Sequence, residues 1–287
     1  MNSTSKNRLY DKLFKYTGMA LTIFALLVLA IFIIDIAKDG IARIDWKFMT
    51  SAPSTLSYKR AGIYPALGGT LWVFTLTAII AIPLGVAAGV YLEEYTTKNR
   101  YTNFLELNLS NLAGVPSVIY GLLGLALFKG LLAFENANVV ISGAFTLALL
   151  ILPVIIVSTR EAIRAVPKSL REASFGLGAT KWQTIWHTIL PSSIGGIMTG
   201  TILALSRAIG ETAPLLILGT VLYIKTPPHG IMDFFTVLPM QIYNWVGERE
   251  EFMANASAAI IVLLVITFML NGFAIYLRNK WQKKVKW

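Results

Sequence analysis

Two residues of opposite charge sit where charge is costly. Arg207 and Glu211 lie about fourteen and eighteen residues into an apolar stretch running from about Ile194 to Val221. An ionisable side chain near a bilayer centre costs roughly 2.5–3.5 kcal/mol on insertion scales, and such residues turn toward a bundle interior or a pathway. Their i, i+4 spacing puts both on one helix face, where they can pair. Two chemistries fit. The pair can neutralise itself and simply make the helix tolerable. Alternatively, Arg207 can present a planar, two-pronged cation to an anion while Glu211 holds it in place. Ser206 and Thr212 add hydroxyls alongside. Pro214 cannot donate to the carbonyl of Gly210, so Gly210 and Pro214 form a candidate hinge next to Glu211.

The elements that hold this pair follow from composition. Of the 287 residues, 55% are hydrophobic and 14% are charged, against about 25% charged in a soluble domain. The deficit comes from apolar runs long enough to cross a bilayer, which takes roughly 20 residues. Six crossings are expected, giving an all-α polytopic membrane protein. They span about Gly18–Ala37, Tyr64–Leu92, Asn111–Phe128, Val139–Thr159, Ile194–Val221 and Ala256–Leu277. The basic start and apolar run of the first resemble a signal peptide, but the run is long and no small-x-small site follows, so a retained helix is expected. The chain lacks cysteine and has only two histidines, His187 and His229. Thiolate metal sites and disulfides are therefore excluded, and no metal site is expected. No nucleophile–base pair stands out, so no catalytic residue is assigned and the chain is read as a non-enzyme. The net charge of +10 flanks apolar runs, which points to lipid headgroups rather than nucleic acid.

Lys and Arg also set an orientation. Sixteen fall in the terminal and alternate connecting segments on one side, and eight in the segments on the other. The positive-inside rule then places both termini in the cytoplasm. Residues 101–110 mix Phe104, Leu105 and Leu107 with Glu106 and Asn108, the composition of an interfacial helix. Glu93 and Glu94 read as a solvated helix end, His187 as a surface residue, and the basic residues of 278–286 as a lipid anchor. Pro83, Pro116, Pro153 and Pro214 either reflect the ordinary frequency of proline in membrane helices or introduce kinks. Gly196, Gly200, Ala204 and Ala208 form a small-residue stripe that lets helices approach closely, as a half-pore would when pairing with a second half.

Segment 160–193 is too long for a turn. Ser169 with Glu172, and Thr180 with Gln183, have capping-box spacing. Gly176 and Gly178 suit a helix end, and Pro191 is expected to close the second helix. Trp182, Ile185, Trp186 and Ile189 share one face, which rests either on the chain's own crossings and lipid or on a partner.

The sequence Glu172-Ala173-Ser174, then Gly178, then Leu190-Pro191 resembles the EAA loop of ABC importer permeases. Ser174 replaces the second alanine of that pattern, and Thr188 stands where isoleucine is usual. The run Ser206 to Leu216 and the run Gly114 to Leu122 resemble the A-type permease subunits of phosphate (Pst) importers. The resemblance implies a type I ABC importer permease fold over 64–280, after an N-terminal tail, helix and outer loop over 1–63, with a basic tail at 281–287. It implies that the segment containing Glu172, Ala173, Gly178, Trp182, Leu190 and Pro191 docks on a homodimeric cytoplasmic ATPase. That separate polypeptide would hold ATP and Mg, since this chain has no phosphate-cradling Gly-x-x-x-x-Gly-Lys motif and no cofactor is expected on it. It further implies a second, homologous permease subunit forming a heterodimer, an extracytoplasmic phosphate-binding protein, and a place in the bacterial inner membrane. Arg207, Glu211 and Thr212 would line the substrate path. Another oxyanion or a neutral solute, and a scaffold or regulatory role without transport, are the competing expectations.

Overall fold

The computed structural model describes residues 3–97, 99–220 and 223–282. Apolar runs become helices because a bilayer leaves each backbone N–H and C=O to be satisfied within its own segment. Among the described residues, five helices are long and apolar enough to cross. They are built on α1 (Ser3–Gly40), α3 (Tyr64–Val90), α6 (Val140–Arg164), α9 (Leu190–Ile209) and α12 (Met253–Gln282). A π turn at Tyr91–Tyr95 prolongs α3. The third expected crossing is shorter than the sequence implied. Asn111 and Leu112 end the preceding α4 (Arg100–Leu112), and the apolar helix proper is α5 (Ser117–Leu125), prolonged by a π turn at Ala126–Leu131. The short helices α2 (Trp46–Thr50), α7 (Lys168–Gly176), α8 (Lys181–Thr184), α10 (Ala213–Ile217) and α11 (Leu238–Val246) complete the set. Val221, at the end of the expected fifth crossing, and 283–287 of the basic tail lie outside the described residues.

The axis of the bundle is α6. Its most apolar stretch is 67% buried within the chain, whereas that of α1 is 0% buried, so α1 presents its apolar surface outward. Three core layers stack along α6. Val140, Ala144 and Leu147 pack with Val73, Phe128, Leu215 and Phe235. Ile151 and Ile155 pack with Ala81, Tyr120, Ala204 and Ala208. Ile163 packs with Ile185 and Ile189. A separate core of Phe48, Ile63, Trp245, Phe252 and Ala258 joins α2, α11 and α12.

Close approach to α6 depends on small residues. A Cβ at Gly85 of α3 would lie 2.6 Å from the Ile155 side chain, and one at Gly196 of α9 would lie 2.6 Å from Ala162. At Gly200 a Cβ would collide with Ser158. The stripe of Gly196, Gly200, Ala204 and Ala208 is therefore consumed inside the chain, between α9 and α6. It is not the surface for a second half that its spacing implied, because α6 already fills it.

Prolines act according to their neighbours. Pro83 and Pro153 lie inside uninterrupted helices. The chain breaks ahead of Pro116 and Pro214, where Gly114 and Gly210 precede within four residues. Glycine weakens the turn that the missing proline N–H would otherwise only perturb. Pro191 does not close a helix. Helix α8, a π turn at Ile185–Ile189 and α9 run on as one helix from Lys181 to Ile209. In the π turn the Leu190 N–H reaches back to the Ile185 carbonyl, and this wider turn directly ahead of Pro191 accommodates its missing donor inside the continuous helix.

Candidate functional site

Arg207 occupies the last turn of α9, and Glu211 lies in the break before α10. The Arg207 Nε–H donates to Glu211 Oε1 at 3.2 Å. The guanidinium side chain is 44% exposed and the carboxylate 17% exposed. The carboxylate is thus the more enclosed partner, and the terminal nitrogens of the guanidinium make no hydrogen bond among the described residues. The break has a local cause. The amides of Gly210 and Glu211 still fold back onto Arg207 and Ala208, but Pro214, buried at the start of α10, supplies no N–H to Gly210. Gly210 and Pro214 therefore bracket a full break rather than a kink, and Arg207 stands at a helix end rather than mid-helix. Thr212 is the first flanking residue of α10, half-buried, with no capping bond from its side chain.

The break is held from two sides. Gly121 of α5 lies against Pro214, since a Cβ there would come 2.6 Å from the Pro214 carbonyl oxygen. Ser206 Oγ lies 2.6 Å from Asn271 Oδ1, tying the last turns of α9 to α12. Glu211 also borders a narrow cleft lined by Thr70, Phe74 and Thr77 of α3. Chemically, this arrangement is a cation held by one carboxylate at a break between helices, beside hydroxyl groups.

The second candidate surface lies at the opposite end of α9. Helix α7 begins directly after Pro167, which takes the flanking position with φ −54° and ψ 137°. The expected capping box of Ser169 and Glu172 does not form, because the helix starts at Lys168 and leaves Ser169 inside the first turn. The second box does form. Thr180 Oγ1 accepts from the Gln183 amide at 3.3 Å, and Gln183 Oε1 accepts from the Thr180 amide at 2.8 Å. Gly178 makes the turn between the two helices with φ +82°, a conformation glycine adopts without strain. Glu172, Ala173 and Gly178 are exposed. The expected aromatic face divides. Ile185 and Ile189 are buried against Ile163, whereas Trp182 and Trp186 stack on one another at 5.6 Å and stay more than half exposed. Leu190 and Pro191 line an open, apolar groove of about 800 Å³ between α3, α9 and α12.

Glu93 and Glu94 are not a solvated helix end. Their side chains are 17% and 11% exposed; Glu93 pairs with two arginines and Glu94 with one. Glu93 takes two hydrogen bonds from Arg164, at 2.9 and 3.1 Å, and lies 3.5 Å from Arg160. Arg160 also pairs with Glu106 of α4. Glu94 takes two from Arg171, at 2.9 and 3.2 Å. The partners are 54 to 77 residues apart, so only the run of arginines at 160, 164 and 171 facing one glutamate pair could have signalled them.

Comparison with known proteins agrees with this architecture. The family described as "Binding-protein-dependent transport system inner membrane component" matches residues 81–283. The probable ABC transporter permease protein YqgI of Bacillus subtilis (strain 168) is 32% identical over 268 residues, 88% of this chain and 90% of that one. The phosphate transport system permease protein PstA 1 of Mycobacterium tuberculosis (strain CDC 1551 / Oshkosh) is 37% identical over 212 residues, 71% of this chain and 67% of that one. A chain in the crystal structure of a bacterial alginate ABC transporter, in complex with alginate pentasaccharide-bound periplasmic protein, superposes with a TM-score of 0.64. It is 15% identical and covers 96% of each chain, a likeness of fold. With α3, α5 and α9 packed on α6, a short helix at 168–176 leading through Gly178 into the helix that starts at Lys181, and a family match over most of its length, this chain belongs to the binding-protein-dependent inner-membrane permeases of ABC importers.

Proposed function

We propose that this chain forms half of the translocation pathway of an ATP-driven importer of inorganic phosphate. The observation that carries the reading is Arg207, a half-exposed guanidinium at a helix break whose terminal nitrogens make no hydrogen bond among the described residues, in a chain resembling phosphate permeases over most of its length. Phosphate is a compact oxyanion, and a planar fork recognises it through paired charge-assisted hydrogen bonds. With the path empty, Glu211 neutralises Arg207. Entering phosphate competes with Glu211 for the guanidinium, and the break at Gly210 lets the two ends of the path move separately. Thr212 adds a hydroxyl there.

The pathway is completed by a second, homologous permease subunit in a heterodimer. The open groove between α3, α9 and α12, walled by Ile82, Val86, Leu190, Met198 and Phe273, supports an apolar partner. A homodimeric cytoplasmic ATPase holding ATP and Mg docks on Glu172, Ala173, Gly178 and the exposed Trp182. An extracytoplasmic phosphate-binding protein delivers cargo. The complex lies in the bacterial inner membrane with both termini of this chain cytoplasmic, supported by the excess of Lys and Arg on that side. ATP binding closes the ATPase dimer, the projecting helices move, and the bundle opens outward; hydrolysis returns it inward.

The test is Arg207→Gln in the full complex reconstituted in liposomes. Phosphate uptake is lost while the ATPase and the second permease still co-purify, and excess sulfate fails to compete with phosphate in the unsubstituted complex. Normal uptake by the variant would refute the role of Arg207, and equal competition by sulfate would refute phosphate as the specific cargo.

A further inference from the structure

The two adjacent carboxylates at the end of α3 hold different helices. Glu93 is bonded to α6 through Arg164 and Arg160. Glu94 is bonded to Arg171, on the projecting helix α7. Arg171 uses two further donors at the end of α6 and just beyond it, with Nη2 on the Ile163 carbonyl and Nη1 on the Val166 carbonyl, both at 2.9 Å. One side chain therefore joins α7 to both α6 and α3.

What makes this more than surface decoration is how little else holds α7. None of its residues is fully buried, so no apolar core fixes it to the bundle. Besides the turn into α8, its other side-chain hydrogen bond among the described residues is that of Ser174 Oγ with Thr184 Oγ1 at 2.9 Å. Apart from the chain links to α6 and α8, force applied to α7 passes to α3 through these polar contacts. The Glu94–Arg171 pair is also shielded, at 11% and 20% exposure, so it escapes most of the screening that makes exposed pairs weak.

The other end of α3 reaches the substrate site. Thr70, Phe74 and Thr77 border the cleft beside Glu211. The helix runs unbroken from Tyr64 to Tyr95, so Glu94 and that cleft are joined by about 30 Å of continuous helix at 1.5 Å per residue. We propose that Glu94 and Arg171 are positioning residues. Their ion pair is the joint through which movement of α7 is delivered to α3 and thence to the Arg207–Glu211 break. This rests on the reading of the chain as a permease half driven from the end that carries α7.

The experiment uses the complete complex in lipid nanodiscs. The chain has no cysteine, so Tyr64→Cys, at the exposed start of α3, gives one labelling site in it. The readout is the change in signal of a spin or fluorescent label there on adding ATP with vanadate. It is measured in Glu94→Gln, Arg171→Gln and the double variant, together with the amount of ATPase co-purified. If the pair is the joint, each single variant keeps its ATPase but loses the label response at least about fivefold, and the double variant is no worse than the worse single one, the signature of two residues acting as a unit. An undiminished label response in the single variants, losses that multiply in the double, or a loss of response that only parallels loss of bound ATPase would each overturn the joint. The label is read without phosphate. A complex whose label responds to ATP but which moves no phosphate would overturn the cargo assignment and leave the joint standing.

Discussion

The Arg207 Nε–H donates to Glu211 Oε1 at 3.2 Å across the point where α9 stops. The pair thus spans a break rather than a helix turn, and each residue can move with a different segment. Glu211 is the more enclosed of the two, at 17% exposure against 44%. Replacing Glu211 by glutamine keeps an oxygen for the Nε–H and removes the neutralising charge. Anions then meet a less compensated guanidinium. Glu211→Gln is expected to lower the KM for phosphate uptake by up to about fivefold, the worth of a partly solvated ion pair, and to lower the maximal rate through slower release. Uptake kinetics in liposomes decide it; an unchanged KM with an unchanged rate would show that Glu211 does not compete with the substrate.

The stripe on α9 gives a second expectation. Because Gly200 lies against Ser158 of α6, Gly200→Leu forces the two helices apart inside one chain. Overpacking of this kind typically costs about 1–3 kcal/mol. The variant is expected to melt at a lower temperature even when expressed without any other subunit. If it melts normally alone and loses only its partner permease, the stripe serves the interface after all.

What the sequence disclosed and what it hid divide along chain distance. Arg207 and Glu211 are four residues apart, so helical periodicity alone pairs them. Thr180 and Gln183 form their box for the same reason. Ser169 and Glu172 share that spacing, but Pro167 sets the helix start one residue before Ser169, and spacing says nothing about which residue begins a helix. The long apolar runs were legible because hydrophobic length is itself the signal. Their ends were less so. Pro191 looked like a terminator, and a π turn ahead of it absorbs the missing donor. The Glu93–Arg164 and Glu94–Arg171 bonds join residues 71 and 77 positions apart. They exist because α3 and α6 pack through Gly85 and Gly89, a three-dimensional fact without a local pattern.

The capping box at Thr180 carries its own expectation. It satisfies two free amides at the start of a helix that continues unbroken to Ile209. Thr180→Ala removes one of those bonds and is expected to cost about 1 kcal/mol locally. Fraying there loosens Trp182, which is exposed on the same turn. Hydrogen exchange of the amides of 181–184 should quicken, with weaker retention of the ATPase during purification. Exchange unchanged from the parent would mean that the buried Thr184, Ile185 and Ile189 hold this turn without the cap.

The pair of Tyr223 and Glu248, on either side of α11, provides a pH test. Tyr223 has its phenol pushed up to about 12, first by burial and then by its hydrogen bond to Glu248, in which the hydroxyl donates to Oε1 at 2.7 Å. An unfolded tyrosine titrates near 10. The folded protein therefore holds this proton more tightly than the unfolded chain. The stabilising contribution is complete below about pH 10 and is lost as pH rises from there through about pH 12. Tyr223→Phe keeps the ring and removes the titrating group. Thermal melts of parent and variant are expected to differ by a constant amount up to about pH 10 and to converge above it. A difference that stays constant across that window would show that the Tyr223–Glu248 bond does not distinguish the folded from the unfolded state.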